Sequence, residues 1–337
     1  MELRLFSAAD VGRALPMAAA IAAVKAAYVQ LSAGRAQAPL RTHLAVAGGD
    51  STLVMPFYVP TAGGADAVGG ADGDALGLKL VSVFNSNPPR GLPLIHALVL
   101  ALDAATGAPL ALIEGSSLTA IRTGAASGAA TDVLARPDAR TLALFGSGVQ
   151  ARRQLEAVCA VRPIERVRVY SLAGAEALAD EMAGRGPIPA DITVVGSPRE
   201  ALDGADIVCA ATTSRTPVFA GRDLAPGTHV NGIGSFTPEM QEIDAETVRR
   251  ARVVIDSRAA ALAEAGDLII PLRDGVVTLD HVSDEIGEVL AGQRPGRTSA
   301  GQVTFFKSVG VAVQDAAAAA LVVRNGAALG LGRVVTL

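Results

Sequence analysis

Residues 140–155, Arg-Thr-Leu-Ala-Leu-Phe-Gly-Ser-Gly-Val-Gln-Ala-Arg-Arg-Gln-Leu, constrain the fold more than any other stretch of the chain. An apolar run of strand length ends at Gly146-Ser147-Gly148, and Val149, Arg152, Arg153, Leu155, Glu156, Val158 and Cys159 then follow helical spacing. The pattern predicts a strand, a glycine turn and a helix start. Gly146 permits the tight bend, Gly148 lets backbone approach a pyrophosphate, and Ala151 keeps the third position small where helix packs on strand. Amide N–H groups at the helix start then face an anion. A lone Gly-x-Gly-x-x-Ala also suits an ordinary strand-to-helix turn, so its surroundings must carry the reading.

Those surroundings alternate. Strand-like runs at 167–170, 192–195, 207–211, 228–233 and 251–256 are interleaved with helical segments such as 173–183 and 198–203. Strand and helix in alternation predict a parallel, doubly wound α/β sheet of the Rossmann type over residues 123–309. Residues 286–292 with Gly296-Arg297 read as loop. Residues 305–324 read as one long Ala-rich helix that returns to the first part of the chain.

The first third has a different texture. Residues 3–11 read as a short strand with a helix entry at Ser7 to Asp10, and 14–31 have helical spacing. Runs at 38–43, 51–58, 75–84, 94–102 and 109–114 predict an antiparallel or mixed sheet, with a hairpin turn at Asp103-Ala104-Ala105-Thr106-Gly107. Residues 63–74, dense in Gly, Ala and Asp, read as a mobile surface loop. A helix over 117–134 ends at Arg136-Pro137. The expected domains are 1–122 with 310–337, a β-rich α+β unit, and 123–309.

Composition excludes several classes. The 337 residues are 50% hydrophobic and 18% charged, enough to build a core and incompatible with wholesale disorder. A net charge of −4, with Lys and Arg scattered singly among acids, gives no basic field for nucleic acid. Glu2, Arg4 and Asp10 interrupt any signal-peptide core, and the apolar run 316–323 is too short to span a bilayer. No membrane partner is expected. Cys159 and Cys209 lie in apolar patterns without metal or disulfide spacing, as in a cytoplasmic protein.

Arg41, Lys79 and Arg122 each interrupt an apolar or small-residue segment ahead of the glycine turn. A charge in such surroundings needs a partner, and three converging cations would suit a carboxylate. Singly, each also fits a structural ion pair, and spacing alone does not show that they converge. His43, His96, His229 and His281 lack HxxH or HExxH spacing, so no metal site is expected, and His229 reads as a core histidine. No Gly-x-Ser-x-Gly elbow is present for acyl transfer. After the second strand of the alternating region stands Ser171, where an acid usually holds the adenosine ribose, so NAD and NADP both remain open.

Several segments together, Pro39-Leu40-Arg41, Met55-Pro56, Gly77-Leu78-Lys79-Leu80-Val81, Leu118-Thr119-Ala120-Ile121-Arg122-Thr123-Gly124-Ala125, Gly146-Ser147-Gly148-Val149-Gln150-Ala151, Val230-Asn231-Gly232-Ile233-Gly234 and Thr304-Phe305-Phe306-Lys307-Ser308-Val309-Gly310, resemble the ornithine cyclodeaminase and mu-crystallin family over nearly the whole chain. The resemblance implies a homodimer with a substrate-binding and dimerisation domain, completed by the C-terminal helix, and a second domain for NAD(H) or NADP(H). Carried over by position, Arg41, Lys79 and Arg122 would hold the carboxylate of an amino acid or cyclic imino acid, Lys79 and Arg122 being the catalytic pair and Arg122 also near the cofactor. Gly146, Ser147, Gly148, Val149 and Gln150 would hold the pyrophosphate and Ser171 the ribose region. Thr212, Ile233, Gly234 and Ser308 would line the nicotinamide side, and Val309 would touch substrate.

Two departures shape the expected chemistry. Phe236 stands where cyclodeaminases resembling this chain carry an aspartate that handles the amine proton, and Leu53 stands where a glutamate precedes Met-Pro. Cyclodeamination needs oxidation, ring closure, ammonia loss and re-reduction, whose middle steps need a proton carrier. Reduction of a preformed cyclic imine needs carboxylate anchoring, a nicotinamide beside the C=N carbon and one proton, from Lys79 or a bound water. Gly234-Ser235-Phe236-Thr237-Pro238-Glu239-Met240 also resembles the corresponding segment of the family's Δ1-pyrroline-2-carboxylate reductases. The expectation is ketimine reduction to L-proline or L-pipecolate. The alternatives are ornithine cyclodeamination, an L-alanine or opine-type amino-acid dehydrogenation, and a non-catalytic crystallin-like binding protein.

Overall fold

The computed structural model describes residues 1–60 and 73–337, so most of the expected loop at 63–74 lies outside the described residues. In chain order the first elements are β1 (Glu2–Phe6), α1 (Ala8–Ala14), α2 (Met17–Ser32), β2 (Thr42–Val46), β3 (Asp50–Val59), β4 (Ala75–Val83), β5 (Ile95–Leu102), β6 (Pro109–Glu114) and α3 (Gly115–Leu134). Then come β7 (Thr141–Phe145), α4 (Val149–Val161), β8 (Arg166–Tyr170), α5 (Ala175–Met182), β9 (Ile192–Val194), α6 (Pro198–Leu202), β10 (Ile207–Ala210) and β11 (His229–Gly232). The rest are α7 (Ala245–Arg250), β12 (Arg252–Ile255), α8 (Arg258–Glu264), α9 (Gly266–Arg273), α10 (Ile286–Leu290), β13 (Thr304–Lys307), α11 (Ala312–Ala328) and β14 (Arg333–Thr336). The chain divides into two compact units, Met1–Arg122 with Val311–Leu337, and Thr123–Gly310.

The first unit is built on a seven-stranded sheet of order β14-β1-β6-β5-β4-β3-β2. It is mixed, because β1 runs parallel to β6 while the other pairs are antiparallel. One face is covered by α11, which packs on α2, β3 and β4. The run Ala316 to Ala320 lets that helix lie close on the sheet, and all five alanines are buried. Strand alternation then decides which residues meet the helix: Ala75, Gly77, Lys79 and Val81 of β4 alternate with Leu76, Leu78 and Leu80 on the opposite face. The first strand stops at Phe6 rather than continuing to 11, because Ser7 caps α1: its hydroxyl accepts from Asp10 N–H at 3.3 Å and its own N–H donates to the Asp10 carboxylate at 2.9 Å.

The second unit holds a seven-stranded parallel sheet of order β12-β13-β11-β10-β7-β8-β9. Chain order reverses at β7, so the crevice outside the carboxyl ends of β7 and β10 is the topological switch point where doubly wound sheets bind ligands. Leu142, Leu144, Leu155, Val158, Val167, Val169, Leu178 and Ile207 pack into one buried cluster with Cys159 and Cys209. Both cysteines are free, and burial pushes both thiols up to about 12. His229 is a core histidine: Nδ1 meets Thr304 Oγ1 at 2.9 Å and Nε2 meets Asn231 Oδ1 at 3.2 Å, with burial lowering its pKa to about 3.

The strand expected over 38–43 begins only at Thr42 and runs to Val46, and two further expectations fail for identifiable reasons. The helix expected over 305–324 begins only at Ala312, and Thr304–Lys307 is instead the fully buried strand β13 between β11 and β12. A short run such as Thr-Phe-Phe-Lys has no period of its own, and Gly310, with φ of 82°, separates it from the helix. Residues 286–290, expected as loop, form α10, nucleated by a capping box between Glu285 and Glu288. Among the described residues no single helix is long and apolar enough to cross a membrane.

Candidate functional site

In the first unit, the strand alternation that buries one face of β4 leaves Lys79 only 1% exposed. Its ammonium sits 3.0 Å from Asp315 Oδ1 and 2.9 Å from Oδ2, and Asp315 is itself fully buried in the first turn of α11. An acid at that end of a helix is also favoured by the helix dipole. Arg122 Nε donates to the same Oδ1 at 3.0 Å, while its Nη1 donates to Gln314 Oε1. The Gln314 amide in turn donates to the Tyr28 hydroxyl. Two buried cations thus share one carboxylate.

Burial, and next the Arg122 charge, pull the Lys79 pKa down to about 7, while Asp315 opposes the shift. Arg41, half-buried ahead of β2, adds a smaller lowering, which places its charge within reach of the same cluster. Asp315 was absent from the sequence-derived candidates. The signal that could have found it is the one used for the cations: Gln314-Asp315 opens an otherwise unbroken run of small apolar residues, and a lone charge there needs a partner.

In the second unit the residues singled out from the sequence fall in the loops after β7, β8, β10, β11 and β13, or, for Val149 and Gln150, in the first turn of α4. Gly146 has φ of 101°, and a side chain there would bring a Cβ within 2.6 Å of the Ala211 carbonyl oxygen, so β7 and β10 approach as they do only because the residue is glycine. A Cβ on Gly148 would meet nothing within 4 Å, and Gly148 caps α4 without a side-chain hydrogen bond to the free amides. Val149 beside it is 65% exposed, and buried Gln150 Oε1 has no hydrogen-bond partner. Open space and uncapped amides fit a pyrophosphate-bearing dinucleotide. Ser147 Oγ and Ser171 Oγ stand 3.1 Å apart, and both reach the Ala173 carbonyl, so Ser171 does lie next to the glycine turn.

Farther along the same row of strand ends, Thr212 follows β10, Ile233 and Gly234 follow β11, and Ser308 and Val309 follow β13. Buried Asp256 Oδ2 accepts from Ser308 Oγ at 2.8 Å and from the Val309 and Gly310 amides at 2.9 Å each. Burial raises the Asp256 pKa against these donors. The structure therefore groups Lys79 and Arg122 within the first unit, with Arg41 close in electrostatic terms. It groups Gly146, Ser147, Gly148, Val149, Gln150 and Ser171 within the second, with Thr212, Ile233, Gly234, Ser308 and Val309 on the same row of strand ends.

Known proteins resemble this chain in sequence and in fold. Over 331 residues, 97% of this chain and 98% of the relative, the sequence is 39% identical to the Delta(1)-pyrroline-2-carboxylate reductase of Bacillus cereus. The fold superposes on the Delta(1)-pyrroline-2-carboxylate reductase of Thermococcus litoralis, solved in complex with NADH and L-proline, with a TM-score of 0.91 at 40% identity, covering 98% of this chain and 99% of that one. An archaeal alanine dehydrogenase dimer with bound NAD is similar over 100% of both chains, with a TM-score of 0.90 at 31% identity. A model of the ornithine cyclodeaminase/mu-crystallin family matches residues 1–328, and this chain belongs to that family.

Proposed function

We propose that the protein is an NAD(P)H-dependent ketimine reductase that reduces Δ1-pyrroline-2-carboxylate to L-proline, and the six-membered Δ1-piperideine-2-carboxylate to L-pipecolate. The observation that carries the reading is the buried Lys79–Asp315–Arg122 cluster, in which two cations share one carboxylate. With both cations charged, one positive charge is left over, and a substrate carboxylate balances it. Relatives that reduce Δ1-pyrroline-2-carboxylate at about 40% identity, one of them solved with NADH and L-proline, support the same substrate and cofactor class.

A reduced nicotinamide supplies a hydride for the imine carbon. The protein's part is to hold the carboxylate through Arg41, Lys79 and Arg122, and to deliver one proton to the nitrogen, so that C=N becomes CH–NH. An incoming carboxylate raises the Lys79 pKa from about 7 and keeps the ammonium charged, which equips Lys79 as the donor. Gly146 to Gln150 hold the pyrophosphate, Ser171 the ribose, and Thr212, Ile233, Gly234 and Ser308 the nicotinamide side, with Arg122 also serving the cofactor and Val309 the substrate. Purified protein is expected to oxidise NADH or NADPH only when a cyclic imino acid is added. Formation of L-proline and ammonia from L-ornithine at comparable turnover, or turnover of L-alanine with no imine reduction, would overturn the reading.

We assign the protein to a cytoplasmic homodimer. Buried free thiols suit a reducing compartment. The sheet face turned away from α11 carries an apolar ladder in register, Val54–Leu80–Leu98, with Leu80 40% and Leu98 45% exposed. That face supports self-association. Sedimentation should give twice the 34.0 kDa chain mass, and the double change Leu80→Glu with Leu98→Glu should halve it.

A further inference from the structure

Lys307, Asp267 and Glu242, three charged side chains with 0% exposure, form a second buried cluster, separate from the carboxylate-binding cations. Glu242 Oε1 accepts from the Thr212 amide, and Oε2 accepts from the Gly234 amide and, at 3.0 Å, the Ser235 amide. Asp267, from α9, accepts from the Glu242 and Ile243 amides at 2.7 and 3.0 Å through Oδ1, and its Oδ2 pairs with Lys307 Nζ at 2.8 Å. Lys307, the last residue of β13, also donates to the Ser235 carbonyl at 2.6 Å. One cluster thus ties together the ends of three neighbouring strands, β10, β11 and β13.

The close fit is built into the backbone. A Cβ on Gly234 would fall 2.0 Å from the Thr212 carbonyl oxygen and 2.5 Å from Glu242 Oε2. Burying three charges is expensive, and a hydrophobic trio would fill the same space without that penalty. What such a trio could not do is accept three amide hydrogens from two different loops. We propose that Glu242 is a positioning residue for the nicotinamide cofactor, its carboxylate clamping the Thr212 loop to the Gly234-Ser235 loop, with Asp267 and Lys307 holding it in place. The inference rests on the assignment of those loops to the nicotinamide side.

Charge state matters to such a clamp, because a protonated carboxyl loses accepting capacity. Burial and then Asp267 push Glu242 up to about 7, with Lys307 and the Thr212 amide opposing. Asp267 and Lys307 are the charged groups that bear on it. Direct NADH binding, followed by the change in nicotinamide fluorescence without any imine present, tests the proposal. Wild-type affinity should weaken as pH falls through about 7. Glu242→Gln presents an amide where only an acceptor fits, and should weaken NADH binding by about tenfold at pH 8. It should also abolish the pH dependence, while the imine KM stays near the wild-type value.

Asp267→Asn provides an independent arm, since removing the neighbouring negative charge should move the wild-type midpoint to lower pH. An unchanged NADH Kd and pH profile in folded Glu242→Gln overturns the proposal. If that variant does not fold, a wild-type NADH Kd independent of pH between 5.5 and 8.5, or an unmoved midpoint in Asp267→Asn, overturns it instead. Failure of the wild-type protein to bind either NADH or NADPH would count against the cofactor assignment itself.

Discussion

Lys79→Met should lower kcat/KM for the cyclic imine by about three orders of magnitude and leave the NADH Kd unchanged. The size follows from losing a general acid, typically worth about 10²-fold, together with one charge-assisted anchor for the carboxylate, worth about tenfold. Stopped-flow oxidation of NADH and equilibrium NADH titration separate the two quantities. In the wild type, kcat/KM reports the free enzyme, whose Lys79 ionises at about 7, so the rate constant should fall as pH rises above that value. The variant should lack this limb. An equally active Lys79→Met protein would remove Lys79 from the mechanism.

The same variant carries a stability signature. Lys79 titrates near 7 in the fold against an ordinary 10.5, so between those values the native state binds fewer protons than the unfolded chain. Stability contributed at this position therefore rises with pH across that window, and the penalty for burying the ammonium is fully present below about 7. Lys79→Met escapes the penalty. Its stability relative to wild type should be greatest near pH 6 and decline toward pH 10, which denaturant unfolding at several pH values will show.

Asp315→Leu should be the most destabilising change at the site, by about 3–5 kcal/mol, because it leaves two buried cations with no carboxylate between them. Lys79 and Arg122 are 1% and 5% exposed, so water cannot take over the lost role. Asp315→Asn is the gentler probe. It keeps an oxygen for Arg122 but withdraws the negative charge that holds the Lys79 pKa up, so the descending limb of kcat/KM should move to more acid pH. At pH 8 its activity should be at least about tenfold below wild type, as expected for a shift of one pKa unit or more. Urea midpoints and pH–rate profiles check the two variants.

Much of this was legible in the chain itself, for physical reasons that differ from place to place. Gly146-Ser147-Gly148 could be read because a turn with positive φ at Gly146 and a bare helix start at Gly148 tolerate few residue types, whatever lies far away in sequence. The doubly wound order could be read because strand and helix periods alternate along the chain. Phe305-Phe306 could not, since a fully buried strand has no solvent face to impose a period of two, and its strand identity comes from pairing with β11 and β12.

The two buried charge clusters divide in the same way. Arg41, Lys79 and Arg122 were recognisable as cations in apolar surroundings, and their chemistry is local to each residue. That Lys79 and Arg122 meet on Asp315 depends on a strand and two helices separated by 236 and 193 positions along the chain, and no local period records such a meeting. Glu242, with Asp267 and Lys307, is similar: each looks like an ordinary charge in sequence, and only the parallel packing of β10, β11 and β13 turns them into a clamp. The sequence by itself determined the fold class, the dinucleotide turn and the residue types available for a carboxylate. The tertiary structure decided which acids partner those cations and how strongly burial shifts them, because desolvation and pairing energies depend on distance in space and not on distance along the chain.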